Sequence, residues 1–198
     1  VKNSFSATQK DFETNYIKGV TGGPLPGSPD YNAFNLAMRI FSNKYFIEVR
    51  TKNGLSYAPG AWFDGSMTAT ANISVSTTEP DKYIAVTQSL INKLKSEGFT
   101  EEEVKNEKIG YVTGFYYRQE MNSSQASSLA DNEVLFGNWK RALSIKDEIN
   151  KVSVNDINKA FNKYMNNITW AYMGNPSKVN QKNFTNPPAD HVPHPSTS

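Results

Sequence analysis

An arginine and a tyrosine stand seven positions apart in the stretch EVRTKNGLSYAPGAWFDG, residues 48–65. Arg50 and Tyr57 flank an Asn53-Gly54 pair, which is a turn signal. A guanidinium and a phenol are poor bases near neutral pH, but both donate hydrogen bonds. Directed into one cleft, they could hold a peptide carbonyl or stabilise an oxyanion that develops on it. A structural interpretation is also open, because arginine at a helix C-terminus offsets the helix dipole and tyrosine is common in strands.

Other catalytic chemistries lack the residues they need. The chain has no cysteine and only two histidines, which excludes thiolate catalysis and cysteine-based metal sites. His191 and His194 occur as HVPH, where Pro193 prevents the helical spacing that zinc peptidases use, and no acidic third ligand lies nearby. The acidic run 101–103 fits the first turn of a helix with a capping box. We therefore expect no metal site in this chain and no self-sufficient enzyme.

The composition indicates a folded domain without a strong charge preference. Among 198 residues, 37% are apolar and 12% aromatic, and the net charge is +2. These values exclude a disordered chain and give no electrostatic reason to expect nucleic acid or an anionic membrane as a partner. No run of apolar residues is long enough for a membrane span. Because the sequence begins with Val1, we interpret it as a processed segment of a longer protein, which favours a cell-envelope, periplasmic location.

The elements around the arginine and the tyrosine follow from local patterns. Asp30 precedes a helical repeat of apolar residues that we expect to continue to about Arg50, where Asn53-Gly54 ends the helix. Two strand-like runs follow, residues 55–63 and 66–78, joined at the hairpin signal Asp64-Gly65. Arg50 is thus predicted at a helix end and Tyr57 in the strand that comes next.

The rest of the chain predicts further helices and two more strands. Strands are expected over 11–20 and 168–174, and helices over 79–98, from 100 through 115, 122–137 and 153–164. Residues 1–10 show no clear period, and the proline-rich tail 175–198 is predicted to be poorly ordered or to follow an edge. The order predicts one α+β domain over 1–174, with a mostly antiparallel sheet and helices on one face. We expect its core to include Phe34, Met38, Phe41, Leu90, Leu94 and Phe161.

Several segments together resemble the pitrilysin/insulinase family of zinc metallopeptidases, specifically its second, non-zinc domain. Residues 29–82 resemble the helix ending in arginine, the Gly-Leu-x-Tyr turn and the strand pair of that domain. LKSEGFTEEEVKNEK at 94–108 and INKVSVNDINKAFNKYM at 149–165 resemble two of its later helices, and TNYIKGV at 14–20 its first strand. The resemblance covers roughly residues 10–174 and rests on the order and spacing of these segments.

The resemblance implies a function shared between two halves. In that family two homologous α+β domains close around a peptide, one with the zinc motif H-x-x-E-H and the other with an arginine and a tyrosine seven residues apart. Arg50 and Tyr57 match the second pair, so the resemblance implies that they contact the substrate or its transition state. No H-x-x-E-H occurs in this chain. Zinc, the attacking water and the general base are therefore expected from a homologous partner domain or subunit, and this half is expected to be inactive alone.

Two other functions stay open at this point. The chain could be a non-catalytic homologue that serves as a scaffold or assembly subunit, or a peptide-binding module that uses an exposed sheet edge. A scaffold has no need of Arg50 and Tyr57, so their presence favours the peptidase half. An H-x-x-E-H in an adjoining or partner sequence would discriminate between these functions.

Overall fold

The computed structural model describes residues 2–185, whose central element is a five-stranded sheet in the order β1-β5-β2-β4-β3. Only β1 and β5 run parallel, and the other neighbouring pairs are antiparallel. The predicted α+β class with a mostly antiparallel sheet is confirmed. The strands are β1 Ser4–Gln9, β2 Asn15–Gly22, β3 Gly60–Asp64, β4 Thr70–Thr77 and β5 Thr169–Gly174.

Helices pack against one face of this sheet. The helices are α1 Tyr31–Phe46, α2 Pro80–Glu97, α3 Glu101–Arg118, α4 Asn122–Phe136, α5 Arg141–Lys151, α6 Val154–Tyr164 and α7 Lys182–Thr185. Two shorter turns accompany them, a π-helical turn Ile47–Lys52 after α1 and a 3₁₀ turn Pro176–Lys178 after β5. Within the described range, none of these helices has the length and hydropathy needed to cross a bilayer.

The two faces of the sheet differ because side chains alternate along each strand. In β4, Ala71, Ile73 and Val75 are buried beneath the helices, whereas Ser74 and Ser76 on the other face are partly exposed. The same alternation occurs in β5 and β2. One face therefore packs against the helices and forms one side of the core, and the other is open to solvent. We refer to the second as the open face.

Helix α1 is the central helix of the core. The repeat that predicted it places Phe34, Met38, Phe41 and Tyr45 entirely out of solvent. The ring of Phe34 meets that of Phe63 at a centroid distance of 5.2 Å, and Phe41 meets Phe161 at 5.6 Å. These contacts fix α1 between β3 and α6, and thereby fix where the helix ends.

The predicted core is confirmed at most of its positions. Phe34, Met38, Phe41, Leu94 and Phe161 are buried, as expected. Leu90 packs against the margin of the core and is only partly buried, because α2 turns its neighbour Ile91 inward instead. The predicted end of α2 and the predicted start of α3 are also confirmed. Gly98 ends α2 with a φ of +78°, and Thr100 with Glu103 forms the expected capping box at α3.

Local predictions were wrong at residues 4–9, 55–59 and 141–151. Residues 4–9, for which no period was found, form β1. The strand predicted from residue 55 begins only at Gly60, and α5 had not been assigned at all. The packed region continues past the predicted domain end at residue 174, since Val179 and Phe184 are buried in the core. His191 and His194 lie outside the described residues.

Candidate substrate-binding site

Arg50 lies in a widened helical turn at the end of α1. The π-helical turn 47–52 is closed by hydrogen bonds to its carbonyl groups. The side-chain amide of Asn53 donates to the Glu48 carbonyl at 2.9 Å, while the Gly54 and Leu55 N–H groups donate to the Arg50 and Val49 carbonyls at 3.0 and 2.9 Å. Gly54 adopts a φ of +61°, which glycine tolerates best. The predicted Asn53-Gly54 stop is confirmed, and it fixes the backbone of Arg50.

Tyr57 reaches the same place from the following loop. Leu55 and Ser56 are buried and anchor the loop, whereas the Tyr57 side chain is 80% exposed. The guanidinium carbon Cζ of Arg50 lies 4.4 Å from the centroid of the Tyr57 ring. The structure therefore brings together the two residues that sequence analysis selected.

A third side chain, which sequence analysis did not select, completes the arrangement. Phe46 is the last residue of α1, and its ring centroid lies 5.1 Å from Cζ of Arg50. The guanidinium thus contacts two aromatic rings, an arrangement that favours the cation. The available signal was the spacing of four residues between Phe46 and Arg50, which places two side chains on one side of a helix.

The site offers hydrogen-bond donors near neutral pH. Glu48, the nearest carboxylate in sequence, pairs with Lys52 at 2.9 Å, and no ion pair within residues 2–185 includes Arg50. An arginine that stacks through its faces keeps the N–H groups at its edge available. With the exposed Tyr57 hydroxyl, this gives two donors to a ligand oxygen.

The acidic run at residues 101–103 has a structural role. Glu103 accepts the Thr100 N–H at 3.0 Å, and the Thr100 hydroxyl accepts the Glu103 N–H at 3.2 Å. Glu103 also pairs with Lys44 of α1. Partial burial acts to raise the pKa of Glu103, but the hydrogen bonds from Lys44 and Thr100 outweigh it, so the pKa is lowered. A carboxylate held ionised in this way joins α3 to α1.

Metal binding has no candidate site in the described part of the chain. Residues 2–185 contain no group of three or more histidine, cysteine, aspartate or glutamate side chains that could hold an ion.

Solved structures share the fold. A peptidase M16 inactive domain from Pseudomonas fluorescens aligns with a TM-score of 0.76 at 16% identity, covering 88% of this chain and 43% of that one. The periplasmic protease PqqL from Escherichia coli aligns at 0.74 and 9%, covering 88% and 21%. The inactive peptidase domain of a zinc protease from Bordetella parapertussis aligns at 0.70 and 19%, covering 83% and 92%. The chain thus spans less than half of the first two proteins.

These likenesses show that the chain shares the α+β fold of these structures. Among curated protein sequences, none matches the chain at the significance required. The family model for the peptidase M16 inactive domain matches residues 7–111, more than half of the chain. The chain belongs to this family. The match confirms the resemblance to the non-zinc domain of the pitrilysin/insulinase peptidases.

Proposed function

We propose that this chain is the substrate-binding, non-zinc half of a zinc metallopeptidase. Its partner is a homologous domain or subunit that carries H-x-x-E-H and supplies zinc, the attacking water and the general base. Closure of the two halves around a peptide would exclude water and position the scissile bond. In this arrangement Arg50 and Tyr57 donate hydrogen bonds to the peptide carbonyl and to the oxyanion that develops on it.

The observation that carries the proposal is the contact between Arg50 and Tyr57. The ring of Tyr57 lies 4.4 Å from the guanidinium carbon, although the side chain is 80% exposed. A stabilising role alone would not require a tyrosine hydroxyl that faces solvent. Two donors whose side chains are in contact beside the start of the edge strand β3 fit a peptide oxygen as their ligand.

The location of the peptidase is part of the proposal. We propose a cell-envelope, periplasmic site of action, which the likeness to a periplasmic protease supports at the level of fold. Detection of the protein in a periplasmic extract, beside a cytoplasmic marker, tests it.

The decisive experiment measures peptide hydrolysis by the chain combined with its zinc-bearing half. Tyr57→Phe keeps the ring and removes the hydroxyl, so kcat should fall by about 10² to 10³ while the free energy of unfolding stays unchanged. Arg50→Lys keeps the charge but loses the planar guanidinium with its fixed set of N–H donors, so peptide hydrolysis by this variant should also be slower. If both residues act on one carbonyl, the double variant loses less than the sum of the single losses.

Matched controls come from exposed residues elsewhere. Tyr117→Phe removes a hydroxyl from a side chain that is 73% exposed on α3, and Arg118→Lys alters its neighbour. Both should retain wild-type rates. If Tyr57→Phe and Arg50→Lys also retain them, the proposed role of the pair is wrong, and the scaffold function becomes the better account.

A further inference from the structure

A depression lies between helix α1 and the edge strand β3. It has a volume of about 310 Å³. Strand β3 contributes residues 61–63 to its lining, and α3 contributes Glu107. The polar residues of α1 that line it are Asn35, Arg39, Ser42 and Asn43. We call this feature the α1–β3 depression.

The α1–β3 depression continues from the arginine–tyrosine site. Helix α1 and strand β3 run in opposite directions, since Tyr31 at the start of α1 donates a hydrogen bond at 2.9 Å to the carbonyl of Gly65, just past the end of β3. The end of α1, with Phe46, therefore lies at the same end as the start of β3, which follows Tyr57 by three positions. The depression and the site thus lie in one line along α1.

The spacing along α1 sets the distance between the depression and the site. Ser42 precedes Phe46 by four residues, and Phe46 precedes Arg50 by four, so the three side chains lie on one side of the helix. The rise of a helix separates Ser42 from Arg50 by roughly 12 Å along the axis. An extended peptide covers that distance in about three to four residues. A peptide with one carbonyl bound at Arg50 and Tyr57 can therefore place a side chain in the depression.

The depression offers neutral polar groups to a ligand. Asn35 and Ser42 are partly buried, and Asn43 is exposed. Among residues 2–185, no side-chain hydrogen bond includes any of these three residues. Arg39 and Glu107 form an ion pair, so their opposite charges largely cancel.

This combination of groups favours an amide side chain in the depression. An amide both donates and accepts hydrogen bonds, and it can pair with the amides of Asn35 and Asn43 and with the hydroxyl of Ser42. A carboxylate or an ammonium group would lose water on entry without gaining a net charge of opposite sign. A purely apolar side chain would cover these polar groups without making their hydrogen bonds.

We propose that the α1–β3 depression is a side-chain subsite that selects peptides with a glutamine or asparagine three or four residues from the carbonyl that Arg50 and Tyr57 bind. The inference rests on the proposed function, since it names the class of peptide that this half presents to the zinc centre. The bound peptide runs along α1 past Phe46, and its amide side chain hydrogen-bonds to Ser42 and Asn43.

Peptide binding by the full chain alone tests the subsite without the zinc-bearing half. The probes are four peptides of alanine, serine and tyrosine, identical except for one central glutamine, glutamate, lysine or methionine. NMR follows the side-chain amides of Asn35 and Asn43 during each titration. The glutamine peptide should shift these signals and bind about two- to tenfold more tightly than the other three, as expected for one net hydrogen bond.

Removal of the polar groups separates the subsite from general adhesion. The double variant Ser42→Ala, Asn43→Ala should bind the glutamine and methionine peptides equally. Asn155→Ala changes an exposed asparagine on α6 and should leave the preference intact. Urea unfolding shows that each variant is folded. Equal binding of the glutamine and methionine peptides by the wild-type chain, shifts confined to other parts of the protein, or no measurable binding would overturn the subsite.

A change of charge tests the role of the ion pair. Glu107→Gln leaves Arg39 without its carboxylate, so the preference should change from the glutamine peptide to the glutamate peptide. Glu102→Gln removes an exposed carboxylate elsewhere on α3 and should leave the preference for glutamine unchanged. An unchanged preference in Glu107→Gln would show that the central side chain does not bind beside Arg39, and the subsite would be wrong.

Failure of the subsite and failure of the proposed function give different results. If the combined halves hydrolyse all four peptides equally and Tyr57→Phe slows hydrolysis, the proposed function holds and the subsite is wrong. If the chain prefers the glutamine peptide but the combined halves cleave nothing, the subsite holds and the peptidase role is wrong.

Discussion

At the scale of single residues, Phe46 decides how the Arg50 guanidinium is held. Arginine has several rotatable bonds, and fixing them has an entropic cost. The ring centroids of Phe46 and Tyr57 both lie within 5.1 Å of the guanidinium carbon. These two contacts restrict the orientation of the guanidinium plane. Phe46 is thus a positioning residue that acts through Arg50.

We predict that Phe46→Ala lowers kcat/KM of the combined enzyme by about ten- to a hundredfold, since small displacements of a positioning group are costly. Because the ring is already 38% exposed, the free energy of unfolding should change little. Steady-state kinetics and urea unfolding of the same preparations give both quantities. Phe46→Tyr should restore the rate and Phe46→Leu should not, because only the tyrosine restores an aromatic face. Equal rates for Leu and Tyr would contradict the positioning role.

The sequence indicated part of this site. Arg50 and Tyr57 were selected because their spacing of seven residues matches the pattern of the family that the chain resembles, and the Asn53-Gly54 turn lies between them. Phe46 was not, since an aromatic four residues before an arginine is common in helices and most such rings are core.

At the scale of elements, Gly54 sets the end of the turn that carries Arg50. Its φ of +61° lies in the left-handed region, and a Cβ there would meet no other atom within 4 Å. The cost of a side chain is therefore conformational. We predict that Gly54→Ala lowers the free energy of unfolding by about 1 kcal/mol. Gly54→Asn should cost less, since asparagine tolerates this region.

Gly110 is the matched control for Gly54. It lies within α3, and a Cβ there would also meet open space. Gly110→Ala should stabilise the protein by about 0.5–1 kcal/mol, because glycine in a helix costs that much relative to alanine. Urea unfolding measures both variants. Stabilisation by Gly54→Ala similar to that of Gly110→Ala would show that the left-handed conformation is not required in solution.

Asp30 connects the start of α1 to the end of α6. Its carboxylate accepts hydrogen bonds from Lys163 at 2.6 Å and from the Tyr164 hydroxyl at 3.1 Å. The bond from Lys163 is the main cause that lowers the pKa of Asp30 below its ordinary 3.8, against a smaller opposing effect of burial. The folded protein therefore binds this proton less readily than the unfolded chain does.

The sign of the pH dependence follows from that lowered pKa. The stabilisation from Asp30 is complete above about pH 5 and is lost as the pH falls through 3.8 towards the folded value. Asp30→Asn cannot titrate, so its free energy of unfolding should fall less steeply than that of the wild type between about pH 5 and 3. Urea unfolding across this range measures both slopes. Asp11→Asn, which changes an exposed carboxyl in the β1–β2 loop, is the control. Parallel slopes for wild type and Asp30→Asn would contradict the prediction.

Several elements were predicted from an apolar repeat or a capping box, but the buried stripe of α5, Ala142, Ile145 and Ile149, was not recognised. Helices α1 and α2 have apolar repeats, and capping boxes begin α3 and α6. Strand β1 is a polar edge strand, SFSATQ, whose side chains are mostly exposed, so no alternation marks it. It becomes a strand through its parallel pairing with β5, more than 150 residues away in sequence. Such pairing is a tertiary effect that local patterns do not encode.

At the scale of the whole molecule, the aromatic core lies on the helical side of the sheet. Phe184 of α7 closes the helical side near β1, with its ring centroid 4.8 Å from that of Phe5 and 5.8 Å from that of Trp170. The last described helix is therefore a part of the core, although it lies beyond the predicted domain end.

We predict that Phe184→Ala lowers the free energy of unfolding by about 3–5 kcal/mol, because the side chain is 0% exposed and its removal leaves a cavity among aromatic rings. Ending the chain after residue 174 should destabilise it at least as much, since Val179 is lost as well. A chain that ends after residue 185 is the reference for this truncation, so that the difference reports residues 175–185 alone. Urea unfolding of the three chains and the wild type measures the losses. If the 1–174 and 1–185 chains unfold at the same urea concentration, the segment adds no stability and the domain ends at β5.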